Sequence, residues 1–264
     1  VDSEQAIPRA EREADSMGFL FRRRPRLPAT AKGDRVYAIG DVHGRLDLLT
    51  ELLDRVSAHQ RGASGKRCHL VLVGDLVDRG PDSAPVVEHV YNLQKTTGNV
   101  VVLQGNHEDM MMAVYGGDGR VLRPWIRSGG DETLRSYGLA VPEADADPAD
   151  TIAAMRERIP AHLMEWMGRL PLSARSGDYF FCHAGIRPGV PLARQGRNDL
   201  LWIREGFLDD ATDHGVVVVH GHSITASVDW ADNRIGIDTG AYRTGTLTAL
   251  VLDGEDREII TAGM

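Results

Sequence analysis

Short apolar runs that stop abruptly at a glycine and a polar cluster recur along the chain. They are RVYAIGDVHG at 35–44, HLVLVGDLVDRG at 69–80, NVVVLQGNHED at 99–109 and DYFFCHAG at 178–185. GVVVVHGHS at 215–223 and RIGIDTGA at 234–241 continue the series. Brief runs of Val, Ile, Leu and Phe bounded by glycine predict buried strands. Between the first three, Leu46, Leu49, Leu52, Leu53 and Val56 recur at helical spacing, and Ala84 to Leu93 do so behind Pro81. This alternation predicts a βαβαβ unit, in which the loops beyond the carboxyl ends of the strands converge on one crevice. Each polar cluster falls at such an end. One of them, VVLQGNHED at 101–109, sets Asn106 beside His107 at a predicted strand end, where adjacent side chains point in different directions. From 109 to 177 the texture changes to Met, Trp and helical periodicity, which predicts a helical insertion flanking the crevice, with Met110 to Met112 as core packing.

At 264 residues, 42% hydrophobic and 26% charged, and without a Gly/Ser-rich linker, the chain fits one α/β domain over 34–264. The preceding residues 1–33 mix charge with Pro25 and Pro28 and are expected to form a flexible N-terminal extension. That extension carries the dense basic run, FRRRPR at 21–26, and the net charge of −8 argues against nucleic acid as a partner. No signal-peptide core and no apolar run near the ~18 residues of a membrane span are present, so a soluble, cytoplasmic protein is expected, and a monomer. Cys68 and Cys182 are too few for a disulfide framework and are expected as buried free thiols. The acidic stretch EADADPAD at 143–150 lacks the glycine of a calcium loop, and GASGK at 62–66 lacks the first glycine and final Ser/Thr of a P-loop.

The residues just past the predicted strands are Asp41, His43, Asp75, Asp78, Arg79, Asn106, His107, His183, His220 and His222. Any one of them could be structural; so many ligand-type side chains at the same strand ends point to a metal centre. Carboxylate and imidazole without thiolate suit Mn²⁺, Fe or Zn²⁺. The count suggests two ions. Asp41 and His43 can face one, His183 and His222 with the Asn106 amide oxygen can hold a second, and Asp75 is the candidate bridge. Two such cations share a water that ionises near neutral pH, and tetrahedral phosphorus is the natural electrophile.

Together GDVHG (40–44), GDLVDRG (74–80), GNHE (105–108), HAG (183–185) and GHS (221–223) resemble the calcineurin-like metallophosphoesterases, and within them the phosphoprotein phosphatases, over residues 35–250. WIRSGGDETLRSYG, 125–138, resembles the insertion of the bacterial and bacteriophage branch. The resemblance implies an α/β sandwich of two mixed sheets flanked by helices, and two divalent cations, with Mn²⁺ expected and Fe or Zn²⁺ as alternatives. It assigns Asp41, His43 and Asp75 to the first metal and Asp75, Asn106, His183 and His222 to the second. Arg79, and Arg204 in LLWIRE, take the phosphate; His107 becomes a general acid oriented by Asp78; His222 is selected as the ligand, so His220 is at most a support beside the ligands, with a purely structural role as the alternative. The implied activity is serine/threonine protein phosphatase, hydrolysing a phosphorylated protein or peptide directly with a dimetal hydroxide. Ile224 stands where phosphodiesterases of the superfamily often carry a further histidine. His43 stands where symmetrical diadenosine tetraphosphate hydrolases typically carry glutamine. The expectation is therefore a phosphoprotein substrate, with dinucleotide hydrolysis as the alternative. A non-catalytic binding module on the same fold would show substituted ligands, and none is substituted here.

Overall fold

The structure is a computed structural model that describes residues 27–62 and 65–263. The basic run at 21–26 lies outside the described residues, as do Ala63 and Ser64 of the GASGK stretch.

Strands β1 (Asp34–Ile39), β2 (Arg67–Leu72) and β3 (Val100–Val102) lie parallel, connected by helices α1 (Leu46–Gln60) and α2 (Ser83–Thr96). Helices α3 (Asn106–Gly116), α4 (Gly119–Trp125), α5 (Asp131–Ser136), α6 (Pro148–Arg158) and α7 (Ala161–Met167) follow, with a π-helical turn, Ile126–Gly130, between α4 and α5. The second sheet is built from β4 (Ser173–Ser176), β5 (Tyr179–Cys182), β6 (Val217–His220), β7 (Asp229–Trp230) and β8 (Arg234–Gly236), with α8 (Arg197–Trp202) between β5 and β6. After α9 (Ala241–Thr244), the hairpin β9 (Thr246–Asp253) and β10 (Asp256–Gly263) returns to the first sheet. The sheet orders are β10-β9-β1-β2-β3 and β4-β5-β6-β8-β7, both mixed.

Period-two alternation along the strands divides the core into layers. Val36 and Ala38 of β1 pack with Phe181, Val217, Val219 and Ile235 between the sheets. Tyr37 and Ile39, one residue on, pack under Leu49, Leu52, Val86 and Val90 of the covering helices. Phe180, Cys182 and Val218 on the outer face of the second sheet meet Leu200 and Phe207. The parallel strands of both sheets end at one edge of this sandwich, where their loops meet.

Several sequence expectations shift. The C-terminal hairpin and β4 and β7 were absent from the predicted strand series, and β4 falls inside the range 109–177 assigned to a helical insertion. The helical segment begins earlier, at Asn106, so Asn106 and His107 open a helix and do not end a strand. The boundary of the extension at 33 also moves. Ala29 donates to Asp178, Thr30 exchanges bonds with Gly254 and Ala31 donates to Ser176, which ties residues 29–31 to both sheets. Met110 and Met111 are buried as expected. Asp147, in the acidic stretch, caps α6 through Ala149 N with Pro148 in the first turn. Cys182 is buried and Cys68 only half-buried. Among the described residues no helix is long and apolar enough to cross a membrane.

Candidate metal centre

The loops that carry the site are backbone-strained. Among the described residues, the non-glycine residues with positive φ are His43 (44°), Asp75 (51°), Asp78 (73°), Arg79 (70°) and His222 (61°). Such conformations cost energy for side chains of this size and persist only where surrounding contacts impose them. Here Glu108, fully buried on the first turn of α3, holds one of them, Asp75, together with the residues around it. Its Oε2 accepts from Gly105 N (2.8 Å) and Asp75 N (2.9 Å), its Oε1 from Leu76 N (2.7 Å) and Val77 N (3.2 Å). Two glycines let the loops close. A Cβ on Gly221 would lie 1.9 Å from Asp41 Oδ1, and one on Gly105 would lie 2.1 Å from Asp75 Oδ1.

Inside this frame, the structure brings together the ligand-type side chains singled out from sequence. Asp75 Oδ2 stands 3.5 Å from His43 Nε2 and 3.4 Å from His183 Nε2. It is common to two clusters whose donor atoms could hold a cation, His43–Asp75–His107 and Asp75–His183–His222. His43 Nδ1 bonds the Val77 carbonyl (2.8 Å) and His183 Nδ1 the Val73 carbonyl (3.0 Å), so each ring directs its other nitrogen's lone pair into the centre. His183 Nε2 then faces Asn106 Oδ1 at 2.8 Å, acceptor against acceptor, while His222 Nδ1 lies 2.9 Å from the same oxygen. Asp41 accepts from His222 N with Oδ2 (3.0 Å), and its buried Oδ1 has no hydrogen-bond partner. Converging lone pairs and an unpartnered buried carboxylate oxygen are costly without a cation, and carboxylate, imidazole and amide oxygen are the donors a divalent transition ion takes. The residues fit the metals their types suggest.

Electrostatics agree. Burial holds His43 well below and His183 below the usual imidazole range, and burial with the neighbouring His183 pushes His222 down to about 3, so all three are neutral donors. Burial opposes ionisation of Asp75, yet its pKa is lowered, and His107, the neighbouring imidazole whose own pKa is raised, carries positive charge that lowers it.

His107 stands between the first cluster and Asp78, its Nε2 3.8 Å from Asp75 Oδ2. Its Nδ1 lies 2.6 Å from Asp78 Oδ2, although its backbone N bonds Asp75 Oδ1 (3.0 Å). Burial depresses its pKa, yet the carboxylates of Asp75 and Asp78 more than compensate and the net shift is upward. Arg79 reaches both rings, with Nη1 2.8 Å from His43 Nε2 and Nη2 2.9 Å from His107 Nε2. Arg204, from the loop after α8, donates to His222 Nε2 (2.9 Å) and to the His222 carbonyl (3.1 Å).

The calcineurin-like phosphoesterase family matches residues 34–245. The chain belongs to that family. It is 31% identical to the symmetrical bis(5′-nucleosyl)-tetraphosphatase of Vibrio parahaemolyticus, over 64% of this chain and 52% of the relative, so it spans about half of that protein's length. To the asymmetrical bis(5′-nucleosyl)-tetraphosphatase PrpE of Anoxybacillus flavithermus it is 28% identical, over 80% of this chain and 88% of the relative. A solved structure provisionally named a diadenosine tetraphosphatase superposes with a TM-score of 0.60 at 22% identity, covering 89% of this chain and 98% of that one. At that identity the likeness is one of fold.

Sequence reasoning left several residues of this calcineurin-like site without a role. Glu108 lies within the GNHE block, and its clamp on the backbone of Gly105 and of the 75–77 loop exists only in three dimensions. Asp238, at the end of β8, faces Asp41 as a second buried carboxylate, and burial raises it to about 6. Tyr242 lies 5.0 Å from the Arg79 guanidinium and 5.5 Å from the His43 ring. The signal for Asp238 was the GIDTGA break itself, which repeats the strand–polar pattern of the other loops. His220 packs edge-on against Phe207 at 5.2 Å and takes no part in either cluster. His214 stacks on Phe207 beside Asp210.

Proposed function

We propose that this calcineurin-like phosphoesterase hydrolyses dinucleoside tetraphosphates. The observation behind the hydrolytic part is the shared position of Asp75 Oδ2 between His43 and His183; the curated relatives named above support the substrate class. Asp41, His43 and Asp75 would hold one divalent cation, and Asp75, Asn106, His183 and His222 the other. Bound there, such cations supply an acidified water and neutralise charge on the phosphoryl oxygens. The chain's own groups do the rest. Arg79, beside His43 and His107, and Arg204, beside His222, bind the phosphoryl oxygens through their guanidinium forks. Asp78 accepts a hydrogen bond from Nδ1–H of the His107 imidazolium and orients the ring, and Nε2–H of that imidazolium is the proton given to the departing oxygen, which leaves a neutral imidazole.

A second reading, phosphoserine or phosphothreonine protein phosphatase, is favoured by His43 in place of glutamine and by the Asp78–His107 pair. A proton donor matters most when an alkoxide leaves and least when a nucleotide phosphate leaves. Parallel assays of diadenosine tetraphosphate, a phosphoserine peptide and p-nitrophenyl phosphate with Mn²⁺ decide between them. The proposal expects the highest kcat/KM on the dinucleotide, and chromatography of the products distinguishes two diphosphates from a triphosphate and a monophosphate. Dominant turnover of the phosphopeptide would replace it with the second reading.

A further inference from the structure

The Asp78 carboxylate is fully buried and is reached by three side chains. His107 Nδ1 is one. The others come from the helical segment between β3 and β4: Trp125 Nε1 donates to Oδ2 (2.9 Å) and Oδ1 (3.1 Å), and Thr133 Oγ1 donates to Oδ1 (2.6 Å). The two oxygens are thereby held from separate directions, so the carboxylate plane cannot turn without breaking a bond. The Asp78 backbone is fixed as well, its N–H bonding Ser83 Oγ and Thr133 Oγ1, each at 2.9 Å. Local chain geometry serves the same contact. The π-helical turn sets Gly129 O to receive Arg79 N (3.0 Å), and a Cβ on Gly130 would fall 2.5 Å from the Trp125 ring. The indole can lie over this backbone only because position 130 is glycine. A tryptophan that merely fills the core has no need to place its N–H across both oxygens of one carboxylate.

We propose that Trp125 and Thr133 are positioning residues that lock the Asp78 carboxylate and, through it, the orientation of the His107 imidazole. This rests on the reading of His107 as proton donor to the leaving group. The helical segment thus helps build the proton-donating half of the site, while the metal ligands Asp41, His43, Asp75, His183 and His222 come from loops that follow the parallel strands.

The test uses the full chain loaded with Zn²⁺, which is diamagnetic, and two substrates of different leaving-group acidity, p-nitrophenyl phosphate and phenyl phosphate. His107→Asn should slow phenyl phosphate by on the order of 10²–10⁴ and the nitrophenyl ester far less. Trp125→Phe keeps an aromatic ring, smaller than the indole, and removes the N–H; it should slow phenyl phosphate about tenfold and p-nitrophenyl phosphate by less than about threefold, with KM unchanged. Thr133→Val should act in the same sense, and it carries the test if Trp125→Phe lowers the melting temperature. In the His107→Asn background, neither substitution should slow the enzyme further. The downfield proton NMR signal of His107 Nδ1–H should move in both variants. Equal losses on the two substrates, losses that persist without His107, or an unmoved proton signal would overturn the proposal while leaving His107 its role. A flat leaving-group response of His107→Asn itself would remove that role and the proposal together.

Discussion

At the scale of single residues, two neighbours on the first turn of α3 divide the site. Asn106 joins His183 and His222, while His107 turns to Asp78, because successive residues of a helix are rotated by about 100° from one another. Asp75 is the residue on which both clusters depend. Asp75→Asn is nearly isosteric but removes the charge shared by both positions. It should reduce bound metal measured by plasma emission from two ions per chain toward one or none, and lower kcat by on the order of 10³ or more. Retention of two ions at the wild-type rate would contradict the shared-carboxylate arrangement. Cys182 and Cys68 differ in a way sequence could not tell: complete burial pushes the Cys182 thiol well up, whereas Cys68 is half-exposed. A maleimide applied to the native protein at pH 8 should therefore modify Cys68 and spare Cys182 until the chain is unfolded, as read by mass spectrometry of the peptides.

At the scale of elements, a helix side chain holds the ligand loops and an ion-pair cluster adds to the backbone pairing of two strands. Glu108 on α3 accepts N–H groups from Gly105 and from the 75–77 loop, and its burial and the nearby Asp75 push its carboxyl up to about 7. Glu108→Gln turns one acceptor into a donor facing N–H groups. It should destabilise the fold by about 2–4 kcal/mol in urea titrations and weaken metal binding, since the loop it clamps carries Asp75. A second lock joins β1 to the C-terminal hairpin, where Asp253 bonds Arg35 Nε (2.9 Å) and the Lys66 ammonium. Partial burial works against the ionised carboxylate, but Lys66 and Arg35 outweigh it and its pKa is lowered. The unfolded carboxyl, near 3.9, binds its proton first as pH falls, so this contribution is present above about pH 4 and lost below it. Asp253→Asn should lower the melting temperature at pH 7 and narrow the gap from wild type as the pH approaches 3. This hairpin shows how an element escaped the pattern: the Thr–Leu alternation that opens TLTALVLD gives way to four apolar residues in a row, Ala249 to Leu252, since both faces of the strand are covered by protein.

At the scale of the whole molecule, the site exists because two sheets end at one edge. Asp41, His43 and Asp75 follow strands of the first sheet, and His183 and His222 follow strands of the second. Phe181 and Val219 hold the sheets together from within. Phe181→Ala should cost about 3–5 kcal/mol by denaturant unfolding, and metal should raise the melting temperature of the parent and of this variant alike, because binding is linked to the folded pair of sheets. The sequence by itself determined the parallel strand–helix units, the crevice at their ends and which ligand-type side chains converge there. Local periodicity and glycine punctuation report backbone choices made within a few residues. What only the tertiary structure decided lies between residues far apart in the chain: the Glu108 clamp, the Asp41–Asp238 contact, the bonds of residues 29–31 to both sheets, and the reach of Trp125 and Thr133 to Asp78. Those contacts depend on how layers register against one another, a long-range packing outcome that no local pattern encodes.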